Sequence, residues 1–167
     1  MDRRIIELPD QGAMLSFGSR VAEQVGRMPL LIFLRGELGA GKTTFAQGFI
    51  GHLIKKARPV LSPTYSYIET YREAIPIHHF DLYRIDHLDS IYDLGLYDHL
   101  SDDRSIRLVE WPEQLKNTDL LPDIEVDIEK LCPGRRGSVA LSHLTKSYDL
   151  CLTACDTGAT CNSHGAG

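Results

Sequence analysis

Gly36-Glu37-Leu38-Gly39-Ala40-Gly41-Lys42-Thr43 follows the apolar run Leu30-Leu31-Ile32-Phe33-Leu34 and leads into a helical stripe. The run is short, does not alternate and is bounded by Pro29 and Gly36, which predicts a strand buried on both faces. Beyond it, Phe45, Ala46, Phe49, Ile50, Leu53 and Ile54 share one face of a helix from about Lys42 to Ile54. The glycine-rich stretch between the two fits G-x-x-x-x-G-K-[ST], the Walker A spacing. Glycines let the backbone curl so that successive N–H groups point at an anion, and the helix aims its positive end at the same place. Lys42 is then the cation for β- and γ-phosphates, and the Thr43 hydroxyl a ligand for Mg²⁺. The pattern arises by accident in well under roughly 1% of chains this long.

Further elements can be read to either side. Arg4 to Leu8 predicts a short opening strand. Ala13, Met14, Phe17, Val21, Ala22 and Val25 recur at helical spacing, with Asp10 as N-cap and Gly26 as stop. Tyr65 to Tyr71 and Ile75 to Phe80 read as strands joined by a hairpin turn at Arg72-Glu73-Ala74. Tyr65, Tyr67 and Tyr71 would then line one face of a strand for packing. A short helix is expected from Leu88 to Asp93, ending at Gly95. Ile106 to Val109, Ile124 to Ile128 and Ser138 to Leu141 complete the strands. Two acids end such runs, Asp81 after Phe80 and Glu110 after Val109. An acid at the carboxyl end of a buried strand lies on the ligand edge of an open α/β sheet, where a metal or water partner belongs.

Composition sets the outer limits. The chain has 167 residues, 43% hydrophobic and 25% charged, with a net charge of −5. This is one globular core, not a disordered chain and not a strongly basic nucleic-acid binder. No apolar run approaches the roughly 20 residues of a membrane span. Arg3 and Arg4 are followed by Glu7, Pro9 and Asp10 with no apolar stretch, so no secretory signal is expected and the expected compartment is cytoplasmic. The resulting fold class is α/β, a three-layer P-loop NTPase domain with a mixed, mainly parallel central sheet. The domain is expected over residues 1–144. Residues 145–167, rich in Thr, Ala, Gly, Ser and Asn, form a C-terminal extension that is poorly ordered towards its end.

Four motifs occur in order: Gly36 to Thr44, Ser62-Pro63-Thr64, His79-Phe80-Asp81-Leu82-Tyr83-Arg84 and Val109-Glu110-Trp111-Pro112-Glu113. With Asp93-Leu94-Gly95-Leu96, they make the chain from about Ile5 to Leu141 resemble the TsaE family, bacterial P-loop ATPases of tRNA threonylcarbamoyladenosine synthesis. The resemblance implies ATP and Mg²⁺ as cofactors and TsaD- and TsaB-like proteins as partners. Contact with tRNA would be indirect, through the partner complex, and no membrane is involved. It implies catalytic roles for Lys42, Asp81 and Glu110 and Mg²⁺ ligation by Thr43 and Glu110. Nucleotide contacts are expected from Glu37, Leu38, Gly39, Ala40, Gly41, Lys42, Thr43, Thr44 and Thr64. Ser62-Pro63-Thr64 matches a switch-like loop, Trp111 matches the tryptophan after the acid, and Tyr65 stands where the family often has Phe.

The remaining features carry competing readings. Arg135, beside Arg136, is a candidate to flank adenine or phosphates, against an ordinary surface turn. Lys55, Lys56 and Arg58 complement a helix end or touch tRNA phosphates. His78 and His79 face opposite sides of a strand, and hydrogen-bonded structural roles are favoured over a place at the nucleotide. Cys151, Cys155, Cys161 and His164 lack common zinc spacing, and free thiols are expected. A small-molecule or nucleotide kinase and a non-catalytic ATP-binding switch remain alternative functions on this fold.

Overall fold

The computed structural model describes residues 4–54, 59–131 and 136–142. Its elements follow in order as β1 (Arg4–Leu8), α1 (Gln11–Val25), β2 (Leu30–Gly36), α2 (Lys42–Leu53), β3 (Ile68–Tyr71) and β4 (Ile77–Asp81). Then come α3 (Leu88–Asp93), α4 (Leu96–Leu100), β5 (Ile106–Glu110), a 3₁₀ turn (Pro112–Leu115), β6 (Ile124–Leu131) and β7 (Arg136–Ser142). They form a seven-stranded sheet of order β1-β7-β6-β2-β5-β4-β3. The central strands β6, β2, β5 and β4 pair in parallel. β3 runs antiparallel to β4, and β7 antiparallel to both β6 and β1. The sheet is therefore mixed, with a parallel core, as the sequence predicts.

β2 explains the three layers. Leu30, Ile32 and Leu34 enter the core cluster shared with α1 and α2, while Leu31 and Phe33 enter the opposite cluster with Ile91, Leu96 and Leu100. Side chains of a strand alternate between faces, so an unbroken apolar run needs cover on both. α1 begins at Asp10, whose Oδ1 accepts the Ala13 N–H at 2.8 Å, and stops at Gly26 with φ 62°. α1 and α2 cross so closely that a Cβ on Gly48 would stand 2.0 Å from the Leu15 carbonyl oxygen. The end of α2 is met by Arg27, whose Nη2 donates to the Leu53 carbonyl at 2.5 Å.

Some expectations change. Tyr65 to Tyr67 is not strand: β3 begins only at Ile68. The Tyr67 N–H instead donates to the Pro63 carbonyl at 2.7 Å, and Tyr67 has φ 63°, closing a turn. The three tyrosines therefore do not share a face, and Tyr65 is 85% exposed whereas Tyr71 is buried. Helix α4, directly after Gly95, has no counterpart in the sequence expectation. Lys55, Lys56, Arg58, Arg135, the cysteines and the boundary at 144 lie outside the described residues. No helix among the described residues is long and apolar enough to cross a membrane.

Candidate functional site

The carboxyl ends of β2, β4 and β5 meet at one edge of the sheet. β2 turns into the loop at Gly36, which has φ 139° and whose Cβ would meet the Ile128 carbonyl oxygen of β6 at 2.3 Å. Only glycine fits there, because both the backbone angle and the space exclude a side chain. The loop ends at Gly41, the N-cap of α2, with no side-chain bond to the first helical amides. These N–H groups and the helix dipole together make an anion-binding end. Lys130 steadies the loop from β6, its Nζ donating to the Leu38 carbonyl at 2.9 Å.

Lys42 is nearly fully buried. Its Nζ donates to the Gly36 carbonyl at 2.6 Å and the Glu37 carbonyl at 2.9 Å. It also lies 3.6 Å from the centroid of the Trp111 ring. Burial pulls its pKa down, opposed by Glu110, Glu113 and Asp81 and aided by Lys130. Trp111 holds this place with φ 60°, its own N–H donating to the Leu34 carbonyl at 3.3 Å. A left-handed backbone at a bulky residue stores strain, which here turns the ring under the ammonium.

The two acids are register partners on adjacent parallel strands, Asp81 on β4 opposite Glu110 on β5. Each is buried and fully engaged. Glu110 Oε2 accepts the Thr43 hydroxyl at 3.0 Å, and its Oε1 lies 2.8 Å from His79 Nε2. Asp81 Oδ2 accepts the hydroxyls of Ser62 at 3.0 Å and Thr64 at 2.6 Å. Its Oδ1 accepts the Tyr83 backbone N–H at 3.1 Å. A cavity of about 290 Å³ lies over these groups, lined from the loop and α2 by Leu38, Gly39, Gly41, Lys42, Thr43 and Thr44. Ser62, Thr64, Asp81, Tyr83, Glu110 and Trp111 complete its wall.

Most of the residues singled out in the sequence thus come together. Glu37 and Ala40 do not line this cavity. Glu37 borders a hollow of about 520 Å³ that shares Tyr83 and Trp111 with this cavity, and Ala40 packs on the core. Ser62 and Tyr83, which the sequence marks only as motif members, also line the cavity, Lys130 holds its loop, and the sequence favours a structural role for His79. His79 proves to be hydrogen-bonded and also to touch a candidate metal ligand. The signal for it was its position two residues before Asp81, on the same strand face. The Thr43, Glu110 and Asp81 oxygens are hard donors of the kind Mg²⁺ prefers.

The family model described as threonylcarbamoyl adenosine biosynthesis protein TsaE matches residues 8–136. The chain belongs to the TsaE family. The match spans all four motifs that carry the resemblance. The TsaE of Haemophilus influenzae, a tRNA threonylcarbamoyladenosine biosynthesis protein, is 36% identical over 124 residues, covering 71% of this chain and 76% of that protein. The TsaE of Synechocystis sp. is 37% identical over 113 residues, covering 65% and 69%. The crystal structure of Bacillus subtilus YdiB shares the fold, with a TM-score of 0.66 at 24% identity over 90% of this chain and 92% of that one.

Proposed function

We propose that this TsaE-family chain is a Mg²⁺-dependent ATPase subunit that supports tRNA threonylcarbamoyladenosine modification together with TsaD- and TsaB-like partners. One observation carries the reading: a buried lysine, a helix-start threonine and two register-paired carboxylates border a single cavity at the carboxyl edge of the parallel strands. The amides from Glu37 to Thr44 would cradle the phosphates and Lys42 would neutralise their β- and γ-oxygens. Lys42 would then exchange the Gly36 and Glu37 carbonyls for phosphate oxygens. Arg135 is retained as a candidate for the nucleotide's flank.

Thr43 and Glu110 would hold Mg²⁺, sharing it with phosphate oxygens. Among the described residues there is no grouping of three or more His, Cys, Asp and Glu that could cage a metal alone. When bound, the ion offsets charge on the reacting phosphates. Asp81 latches the Ser62–Thr64 loop through both hydroxyls, placing Thr64 at the cavity wall. Such a latch is suited to a loop that responds to the γ-phosphate.

The kinase alternative calls for arginines that close over an acceptor. Among the described residues, Arg104 pairs with Asp102 at 3.2 Å and Arg107 donates to the Leu100 carbonyl at 2.9 Å, and neither lines the cavity. The deciding experiment measures Mg²⁺-dependent ATP hydrolysis by the purified chain, alone and with TsaD- and TsaB-like proteins, alongside copurification with and without ATP. Slow hydrolysis altered by bound partners supports the proposal. No hydrolysis and no association would sink it.

A further inference from the structure

His79 is completely buried on β4, with Nε2 2.8 Å from Glu110 Oε1. Its other ring nitrogen, Nδ1, is also buried and has no hydrogen-bond partner among the described residues. An ionised carboxylate only accepts, so Nε2 carries the hydrogen and donates it to Glu110. Nδ1 is left without a partner and shut away from water. A buried group left unsatisfied is costly, and in a native structure it calls for a reason.

The reason lies at the other end of the contact. Glu110 is also buried, and its two oxygens are gripped from opposite sides, Oε1 by His79 and Oε2 by Thr43. Without His79, the carboxylate would lose one of the two groups that fix its rotation. We propose that His79 is a positioning residue for Glu110, required for Mg²⁺ to strengthen nucleotide binding but not for the nucleotide to bind on its own. This rests on the functional reading above. The arrangement follows the general rule that groups behind a ligand set its orientation, and their loss typically costs about 10–100-fold in metal affinity.

The test uses the full chain and ADP, with the fluorescence of Trp111, the single tryptophan, as reporter. ADP affinity is measured with EDTA and again with Mn²⁺, and the ratio isolates the metal's contribution. Gln places its amide near the position of His Nε2, whereas Asn reaches only the position of Nδ1. The expected result is that H79N leaves ADP affinity in EDTA unchanged and lowers the Mn²⁺ enhancement by about 10–100-fold. H79Q restores most of the enhancement. In an E110Q background, H79N has no further effect.

A purely structural role would weaken binding equally with and without metal, or leave H79N and H79Q alike; either overturns the proposal. An H79N enhancement equal to wild type also overturns it while leaving the nucleotide reading intact. If the wild-type chain binds no ADP, or binds it with no Mn²⁺ effect, the functional reading itself fails and this inference falls with it.

Discussion

Lys42 Nζ and the Trp111 ring centroid are 3.6 Å apart, so the cation of the phosphate loop and the aromatic residue after the strand-end acid are in direct contact. A cation over an indole face is attracted by the ring's quadrupole, most strongly when desolvated. The contact ties α2 to the end of β5 and gives the site an internal optical reporter.

Lys42→Ala removes the ammonium from the ring and, on the proposed function, from the phosphates. ATP affinity or turnover is expected to fall by about 100-fold or more, since the developing charge loses its fixed cation. Trp111 emission should shift even without nucleotide. Fluorescence titration and a steady-state ATPase assay check both; wild-type affinity and rate in the variant would refute the role.

Asp81→Asn sets an N–H₂ either against both hydroxyls that share Oδ2 or, flipped, against the Tyr83 N–H that Oδ1 accepts. The Ser62–Thr64 loop should loosen and turnover drop by about 100-fold, the scale of a small misplacement at a reacting centre. Limited proteolysis should then cut near Thr64 faster. If hydrolysis falls while partner-dependent function survives, the chain is a binding switch and not a catalytic subunit.

Thr43→Ala deletes the hydroxyl that bonds Glu110 Oε2. The Mg²⁺ concentration for half-maximal ATPase rate should rise by about 10-fold or more, on the scale of a weakened metal site. A Mg²⁺ titration at saturating ATP is the check, and an unchanged requirement would remove Thr43 from the metal's shell.

Two glycines of α2 should respond in opposite directions. Gly48→Ala places a methyl 2.0 Å from the Leu15 carbonyl oxygen, a backbone atom that cannot swing aside. A loss of about 3 kcal/mol or more is expected. Gly51→Ala meets nothing within 4 Å and should gain about 0.5–1 kcal/mol. Thermal and urea unfolding of the two variants measure the contrast.

Stability should fall in mild acid through His78. Burial, then His99, and to a smaller extent Arg107, hold its pKa below the ordinary 6.5, with Asp102 opposing. Between the native value and 6.5 the unfolded chain binds more protons, so unfolding free energy rises with pH across that window. The contribution is complete above about pH 6.5 and is lost as pH drops below it. Urea unfolding at pH 7.5 and 5.5 should show a smaller difference for His78→Gln than for the wild type.

What could be read from sequence was what is local. The strand, loop and helix around Gly36–Thr43 are neighbours along the chain, and their pattern specifies them. Asp81 and Glu110 were legible as strand ends, but their pairing across β4 and β5 depends on register, which no short window contains. His79 became a site residue only through that pairing, which sets its ring against Glu110. Tyr65-Ser66-Tyr67 misled because alternating aromatic and polar residues mimic a strand. A turn won there once the Tyr67 N–H found the Pro63 carbonyl instead of a neighbouring strand. α4 escaped because five residues, Leu96–Leu100, span too little helix to show a period.

The glycine crossing of α1 and α2 has a mechanical corollary. With a peptide oxygen of Leu15 seated against Gly48, and that of Phe45 against Gly18, neither rod can slide or roll without driving backbone into backbone. The pair is an anvil beneath the loop at 36–43, and among the described residues any travel that the proposed turnover needs falls to the thin straps at 37–41 and 62–67.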